Sequence, residues 1–230
     1  MSDKDEFLQS PFNALPGAVV ALALAIVGFE LVFWVGNRGL FGGPEAVGWR
    51  VAMIENYALW PAVLPWVIER GEWTSPELLR FLTYPFIHYG FVGAIFAVAM
   101  LLALGKLVGE VFGNIAVLIV FFASALIGGV VYCGIFPDQG PLFGAFPGVY
   151  GLIGSYSFLL WIGYGQMGEN QYRAFSLIGF LMGIQLFFSF AFGSQPNWIA
   201  DLAGFLVGFV ITPSLAPGSF RRFLDRMRQR

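Results

Sequence analysis

The chain has 230 residues, of which 58% are hydrophobic and only 11% are charged, with a formal net charge of −2. Soluble domains carry about 25% charged residues, and a compact soluble fold of this length could not bury so much apolar surface. The composition therefore excludes a soluble enzyme and predicts a protein that lies in the lipid bilayer. The acidic balance also argues against a nucleic-acid partner, which requires a clustered basic face.

Six stretches without charged residues predict six membrane-spanning helices, because one span needs about 20 apolar residues. The helices are expected near 17–36, 85–105, 113–136, 146–164, 173–192 and 196–215. The chain then divides into an N-terminal segment (1–16), an all-α membrane domain (17–215) and a basic tail (216–230).

The distribution of Lys and Arg predicts the orientation of the chain. Five arginines follow the last span, and Lys106 and Arg173 lie in turns on the same side of the membrane. Because cytoplasmic segments are enriched in Lys and Arg, we expect both termini in the cytoplasm. The N-terminus lacks the positive region and cleavage site of a signal peptide, and a bacterial inner membrane is the expected location.

The longest connection, residues 37–84, joins the first two predicted spans. Four tryptophans lie in it: Trp49, Trp60, Trp66 and Trp73. Tryptophan prefers the headgroup level, so we expect this loop to lie in the outer membrane interface. Residues 49–68 predict an amphipathic interfacial helix interrupted at Pro61 and Pro65. A second helix start is predicted at Ser75, which would cap a turn beginning with Pro76.

Ionisable side chains in or beside apolar spans are functional candidates, since lipid solvates them poorly. Three of them also have simple structural interpretations. Glu30 would either extend to the outer interface or pair with Arg38. Glu110 would pair with Lys106 four residues earlier, and His88 would be a hydrogen-bonded anchor at the outer interface.

Asp201 differs from these three because a tightly packing run follows it. Gly204 and Gly208 in that run have the small-xxx-small spacing that lets two helix backbones approach closely. We therefore expect Asp201 to face protein or trapped water, where it would act either as a functional group or as a hydrogen bond between helices.

Catalytic and metal-binding constellations are absent from the sequence. Ser–His catalysis would need His88, the chain's only histidine, within reach of a serine. The serines of the apolar spans lie in middle or inner parts of the predicted helices: Ser124, Ser155, Ser157 and Ser189. One histidine, one cysteine (Cys133, expected to pack in a core) and scattered carboxylates predict no metal site. No phosphate-cradling loop is present, so no cofactor is expected.

Three segments, 80–113, 144–154 and 200–208, occur in an order that carries a family likeness. With six spans and a long first loop, they resemble the second, fourth and sixth spans of the rhomboid intramembrane serine proteases. The pair Trp49-Arg50 is also similar to one in the first loop of that superfamily. The resemblance implies a rhomboid-like fold.

The same resemblance implies loss of the family's chemistry. The nucleophilic serine falls on Phe146 and the histidine base on Asp201, whereas the two oxyanion-stabilising positions fall on Gly93 and Ala97. Only His88 matches a histidine of the family. A phenyl ring cannot attack a carbonyl, and loss of one triad member typically costs several orders of magnitude in rate. The resemblance therefore implies a pseudoprotease without catalytic residues, in which Phe146 fills the former active site beside Asp201.

Inactive members of this superfamily bind transmembrane segments of other integral membrane proteins as chaperones, adaptors or regulators of client stability. In this chain His88, Gln185 and Asp201 are the polar candidates for client contacts or for structural hydrogen bonds. Helix packing is assigned to five glycines: Gly148, Gly151, Gly154, Gly204 and Gly208. Two alternatives remain, namely a fixed structural subunit or assembly factor of a larger membrane complex, and a residual or rewired intramembrane protease.

Overall fold

The computed structural model describes residues 15–193 and 195–215. Within this part the chain forms nine α-helices joined by 3-10 helices and turns. In chain order they are α1 (Gly17–Asn37), α2 (Trp49–Tyr57), α3 (Val63–Arg70), α4 (Arg80–Thr83), α5 (Phe91–Phe112), α6 (Asn114–Ile135), α7 (Phe146–Gln166), α8 (Ser176–Phe192) and α9 (Trp198–Leu215). Most of the predicted segment 1–16 and the tail 216–230 lie outside the described residues.

Six helices are long and apolar enough to cross a membrane, namely α1 and α5 to α9, with the 3-10 helix Gln171–Phe175 extending the fifth span. The prediction of an all-α membrane protein with six spans is therefore confirmed. The shared contacts place the end of α1 and the starts of α5, α7 and α9 at one end of the bundle. The start of α1 meets the start of α6 at the other end, where the Ala18 amide donates to Asn114 Oδ1 at 3.1 Å.

The predicted bounds of the second span, 85–105, are wrong. Tyr84–Phe86 forms a 3-10 turn and Ile87 is extended, so α5 begins only at Phe91. A charge-free run cannot distinguish this irregular apolar approach from helix. At the other end Lys106 and Glu110 lie inside the helix and form an i,i+4 ion pair of 3.8 Å.

Helix α7 packs against α5, α6 and α9, which makes it central to the bundle, and its glycines face two of these neighbours, α6 and α9. A Cβ on Gly148 would overlap the Phe121 ring of α6, whereas one on Gly154 would overlap the backbone of α9. In return, Cβ atoms on Gly204 and Gly208 of α9 would overlap carbonyl oxygens of α7. Glycine at these positions therefore allows α7 to touch both neighbours through backbone atoms.

The first loop packs against α6 and the start of α7. Leu59 exchanges two backbone hydrogen bonds with Leu142, of 2.9 and 2.8 Å, and this pair separates α2 from α3. Pro61 lies between α2 and α3, where the interruption is predicted. Pro65 does not interrupt the helix, because it lies in the first turn of α3, where a backbone N–H has no helical acceptor and is not needed. Ser75 Oγ accepts the amide of Glu77 at 3.3 Å and caps the 3-10 helix Pro76–Leu79.

Candidate functional site

The start of α7 is fastened to the segment that leads into α5. The Gly144 amide donates to the Tyr84 carbonyl at 2.9 Å, and the next amide, that of Ala145, donates to His88 Nε2 at 3.3 Å. Gly144 has φ +98°, a conformation that favours glycine. The buried Tyr84 hydroxyl donates to the Ala125 carbonyl of α6 at 2.7 Å, and burial raises its pKa. These contacts fix the point at which α7 begins.

His88 uses its basic nitrogen to hold this structure. The side chain is 3% exposed, and burial lowers its pKa to about 4. The ring is therefore neutral near pH 7, and its Nε2 accepts the Ala145 amide. The lone pair that a general base would use is thus occupied. The predicted role of His88 was a hydrogen-bonded anchor, and the hydrogen bond from Ala145 fits that role.

Phe146 is the first residue of α7, and its partly buried ring faces α5. The ring centroid lies 6.5 Å from that of His88 in an edge contact and 6.2 Å from that of Phe96. Ala97 is buried in the same helix, and a Cβ on Gly93 would meet open space. Neither Gly93 nor Ala97 has a side chain that could donate a hydrogen bond to an oxyanion.

Asp201 lies in the first turn of α9 and is 2% exposed. Gln185 of α8 donates its Nε2 to Asp201 Oδ2 at 2.7 Å, so the pair ties two neighbouring spans together. A carboxylate in the first turn is also favoured by the helix dipole. Two of the predicted polar sites, Gln185 and Asp201, are therefore in direct contact.

The starts of α7 and α9 lie side by side. Pro147, which follows Phe146, and Ala200, which precedes Asp201, both pack against Gly128 of α6. A Cβ on Gly128 would lie 3.1 Å from Pro147 Cβ and 2.7 Å from the Ala200 carbonyl oxygen. The side chains of Phe146 and Asp201 nevertheless have different partners, which belong to the α5 side and to α8 respectively.

Three span serines are buried in helix contacts: Ser124, Ser155 and Ser157. Thr212 of α9 donates to Ser155 Oγ at 2.7 Å, and Ser155 in turn donates to the Gly208 carbonyl at 3.4 Å. Ser155 thus joins α7 to α9 more than two turns after Phe146. No group of three or more His, Cys, Asp or Glu side chains that could hold a metal ion occurs among the described residues.

Arg50 has a larger structural role than its place in the Trp49-Arg50 pair indicates. The predicted pair of Glu30 with Arg38 is wrong, because Glu30 binds Arg50 through two contacts of 2.5 and 3.0 Å and Arg38 lies over the Trp34 ring. Arg50 also donates to the His88 carbonyl at 2.7 Å. The sequence shows the Trp49-Arg50 pair, but it does not reveal the partners of Arg50, because Glu30 in α1 and His88 before α5 are distant in sequence. One arginine therefore connects the first loop, the first span and the approach to the second.

A family model for the Rhomboid domain matches residues 75–217, which is more than half of the chain. The protein therefore belongs to the rhomboid family, and the resemblance seen in three sequence segments is confirmed. The matched region begins at the Ser75 cap and contains α4 to α9, whereas α1 and most of the first loop precede it. Comparison with curated proteins gave no significant match.

Proposed function

We propose that this rhomboid-family protein is not a protease and that it binds transmembrane segments of other integral membrane proteins. Its role would be that of a chaperone, adaptor or regulator of client stability in a bacterial inner membrane. The observation that carries the proposal is the start of α7. By resemblance Phe146 stands where the family has its nucleophile, and beside it the Nε2 of His88 accepts a hydrogen bond from the Ala145 amide.

Helix α8 supplies the route by which a client segment would bind. Only Ile178 and Met182 of this helix are buried. The hydrogen bond between Gln185 and Asp201 is a polar contact that joins this helix to α9. Segments with few buried contacts separate from a fold at lower free energy than core segments do. Displacement of α8 would present Asp201 and the adjoining face of α9 to an incoming helix, which could pack closely and form hydrogen bonds there.

The absence of proteolysis is tested with serine-directed phosphonate probes and a model transmembrane substrate. We expect no labelling and no cleavage by the unaltered protein. The double variant Phe146→Ser with Asp201→His should also give little or no activity. It still lacks oxyanion donors at Gly93 and Ala97, and loss of one such donor costs roughly 10²–10³ in rate. Cleavage by the unaltered chain would reject the proposal.

Client binding is tested by photo-crosslinking in the native membrane. A photoreactive residue at Ile184, on α8 beside Gln185, should capture several integral membrane proteins. The matched control is Ile119 on α6, because the two side chains are similarly exposed, at 41% and 44%. Equal capture from both positions would mean that α8 offers no preferred binding surface.

The second candidate is a fixed subunit of a larger membrane complex. It is favoured by the exposed phenylalanines of α8, which could form a permanent protein–protein surface: Phe180, Phe187, Phe188, Phe190 and Phe192. One stoichiometric partner that remains bound in detergent would support this role. Many substoichiometric membrane proteins would support client binding.

A further inference from the structure

Two arginines, at the C-terminal ends of α1 and α3, differ from the other basic residues of the structure. Six Lys and Arg residues lie in the part of the chain that the structure describes, and four of them form ion pairs with glutamates. Arg38 and Arg70 have no carboxylate partner among the described residues, and each lies over an indole ring instead. The guanidinium carbon of Arg38 is 4.8 Å from the centroid of the Trp34 ring, and that of Arg70 is 5.1 Å from the centroid of the Trp66 ring.

Each indole holds its guanidinium in place while the hydrogen-bond donors stay available. The face of an aromatic ring attracts a cation, whereas the five N–H donors of a guanidinium point outward in its own plane. Arg38 and Arg70 are both exposed, so these donors can reach an external partner. The planar fork of a guanidinium matches two oxygen atoms of a phosphate group. The two arginines therefore offer preorganised sites for an oxyanion.

Large apolar side chains near the two arginines indicate which molecule carries the oxyanion. Four of them are more than half exposed: Leu40 (69%), Phe41 (72%), Ile68 (56%) and Trp73 (63%). The first two follow Arg38 closely in the chain, and the last two flank Arg70. A dissolved phosphate ion would leave these apolar side chains in water. A phospholipid supplies a partner for both kinds of group, because its phosphate lies at the headgroup level, where tryptophan is enriched, and its acyl chains lie directly below.

We propose that Arg38 and Arg70 each bind the phosphate of a phospholipid headgroup and thereby hold the first loop at the membrane surface. Arg38 lies at the start of this loop and Arg70 in its second half, so two bound lipids would fix the loop at two separate points. The inference is independent of the proposed function, because neither arginine lies in the helices through which a client would bind.

The test compares two lipids that have the same acyl chains, of which only one carries a phosphate. The full-length protein in detergent is titrated with dioleoylphosphatidylglycerol or with dioleoylglycerol, and native mass spectrometry measures the lipids that remain bound. A basic residue near the membrane surface strengthens the binding of an anionic lipid about fivefold. Arg38→Gln and Arg70→Gln should therefore each weaken phosphatidylglycerol binding at one site about fivefold, and neither should change the binding of dioleoylglycerol.

The matched control is Arg173→Gln. Arg173 also lies over an aromatic ring, with its guanidinium carbon 5.6 Å from the Tyr164 centroid, and its side chain is 65% exposed, but it donates to Glu169 at 3.0 Å. Its replacement should leave the binding of both lipids unchanged. Arg38→Lys and Arg70→Lys keep the charge and lose the planar fork, so they should bind phosphatidylglycerol with intermediate affinity. Thermal unfolding in detergent shows that each variant is folded, and the two independent arginines allow a test even if one variant is unstable.

Four results would overturn the inference. Equal binding of the two lipids by the unaltered protein would mean that acyl chains alone bind at these sites. An equal loss in Arg173→Gln would assign the effect to overall charge. Displacement of phosphatidylglycerol by inorganic phosphate, but not by chloride at the same ionic strength, would identify a site for a free anion. A Gln variant that loses a bound protein but no lipid would identify a protein carboxylate as the occupant.

Discussion

At the scale of single residues, His88 is the chain's only histidine and thus its only candidate for Ser–His catalysis, yet it serves structure instead. Its Nε2 accepts the Ala145 amide and its carbonyl accepts Arg50, so both ends of the residue hold other segments in place. Protonation of the ring would remove the acceptor and would place a charge next to a buried amide donor. The residue therefore makes the start of α7 sensitive to acid.

This sensitivity gives the first prediction, a loss of stability between about pH 6.5 and pH 4. Because burial lowers the folded-state pKa of His88 from 6.5 to about 4, the unfolded chain binds the proton first, and stability falls as the pH falls through this window. The full difference corresponds to about 3 kcal/mol. His88→Gln keeps an acceptor but does not titrate, so thermal midpoints of this variant should vary less with pH. An identical pH profile for both proteins would assign the effect to the carboxylates.

The second prediction concerns the ring of Phe146. It is partly buried against His88 and Phe96, so Phe146→Ala should cost about 1–3 kcal/mol, less than the roughly 3–5 kcal/mol of a fully buried phenylalanine. Phe190→Ala provides the control, since Phe190 is 84% exposed. Denaturant unfolding in mixed micelles measures both. Equal effects of the two substitutions would show that the Phe146 ring contributes no packing.

At the scale of helices, the glycine pattern determines how closely α7 and α9 approach. Gly208 contacts the carbonyl of Gly151, and the hydroxyls of Ser155 and Thr212 continue the same interface. A methyl group at Gly208 cannot be accommodated by rotating a side chain, because the obstructing atom belongs to the backbone. The two helices would have to separate.

The third prediction compares two glycines of this region. Gly208→Ala should destabilise the protein by at least about 2 kcal/mol, as expected for overpacking against an unyielding neighbour. Gly163→Ala, on α7, meets nothing within 4 Å and should stabilise the helix by up to about 1 kcal/mol. Unfolding in mixed micelles should therefore give opposite signs. A neutral Gly208→Ala would mean that the α7–α9 contact is looser than the structure shows.

The sequence predicted helices better than it predicted their partners. The first span was placed at 17–36 and lies at Gly17–Asn37, because a long apolar run between breakers has one obvious interpretation. The second was misplaced because Tyr84–Phe86 and Ile87 are as apolar as the helix they precede. The pair of Gln185 and Asp201 joins two spans, and no local pattern records such a contact, although each residue could be recognised as a polar group in lipid.

At the scale of the whole molecule, Arg50 connects elements that hydrophobic packing alone would leave independent. Its guanidinium binds Glu30 of α1 through two oxygens and also binds the His88 carbonyl before α5. Sequence proximity favoured Arg38 as the partner of Glu30. In the structure the first loop folds so that Arg50 reaches Glu30. The sequence pattern does not specify the fold of this loop and therefore does not predict the pair.

The fourth prediction follows from the burial of Glu30, which is 3% exposed. Arg50→Leu alone leaves a buried carboxylate without its partner and should cost about 3–5 kcal/mol, whereas Glu30→Leu with Arg50→Leu removes both charges and should cost clearly less. A double-mutant cycle on thermal or denaturant unfolding measures the coupling. Additive effects of the two single substitutions would contradict the pairing.

The last prediction concerns the orientation of the bundle in the membrane. Eight of the twelve Lys and Arg residues lie in the N-terminal segment, at positions 106 and 173 and in the tail, and four lie in the first loop. Two of these four, Arg50 and Arg80, form ion pairs with Glu30 and Glu77. The positive-inside rule therefore favours cytoplasmic termini. The end that gathers the first loop and the starts of α5, α7 and α9 would face outward.

Reporters that distinguish the two sides of the membrane test this orientation. Fusions after Arg230 and before Phe12 should be cytoplasmic, and an insertion at the exposed Glu72 should be periplasmic. Because the spans alternate in direction, one position per side is sufficient to fix all six. A periplasmic C-terminus would place the first loop and the starts of α5, α7 and α9 at the cytoplasmic surface and would contradict the predicted orientation.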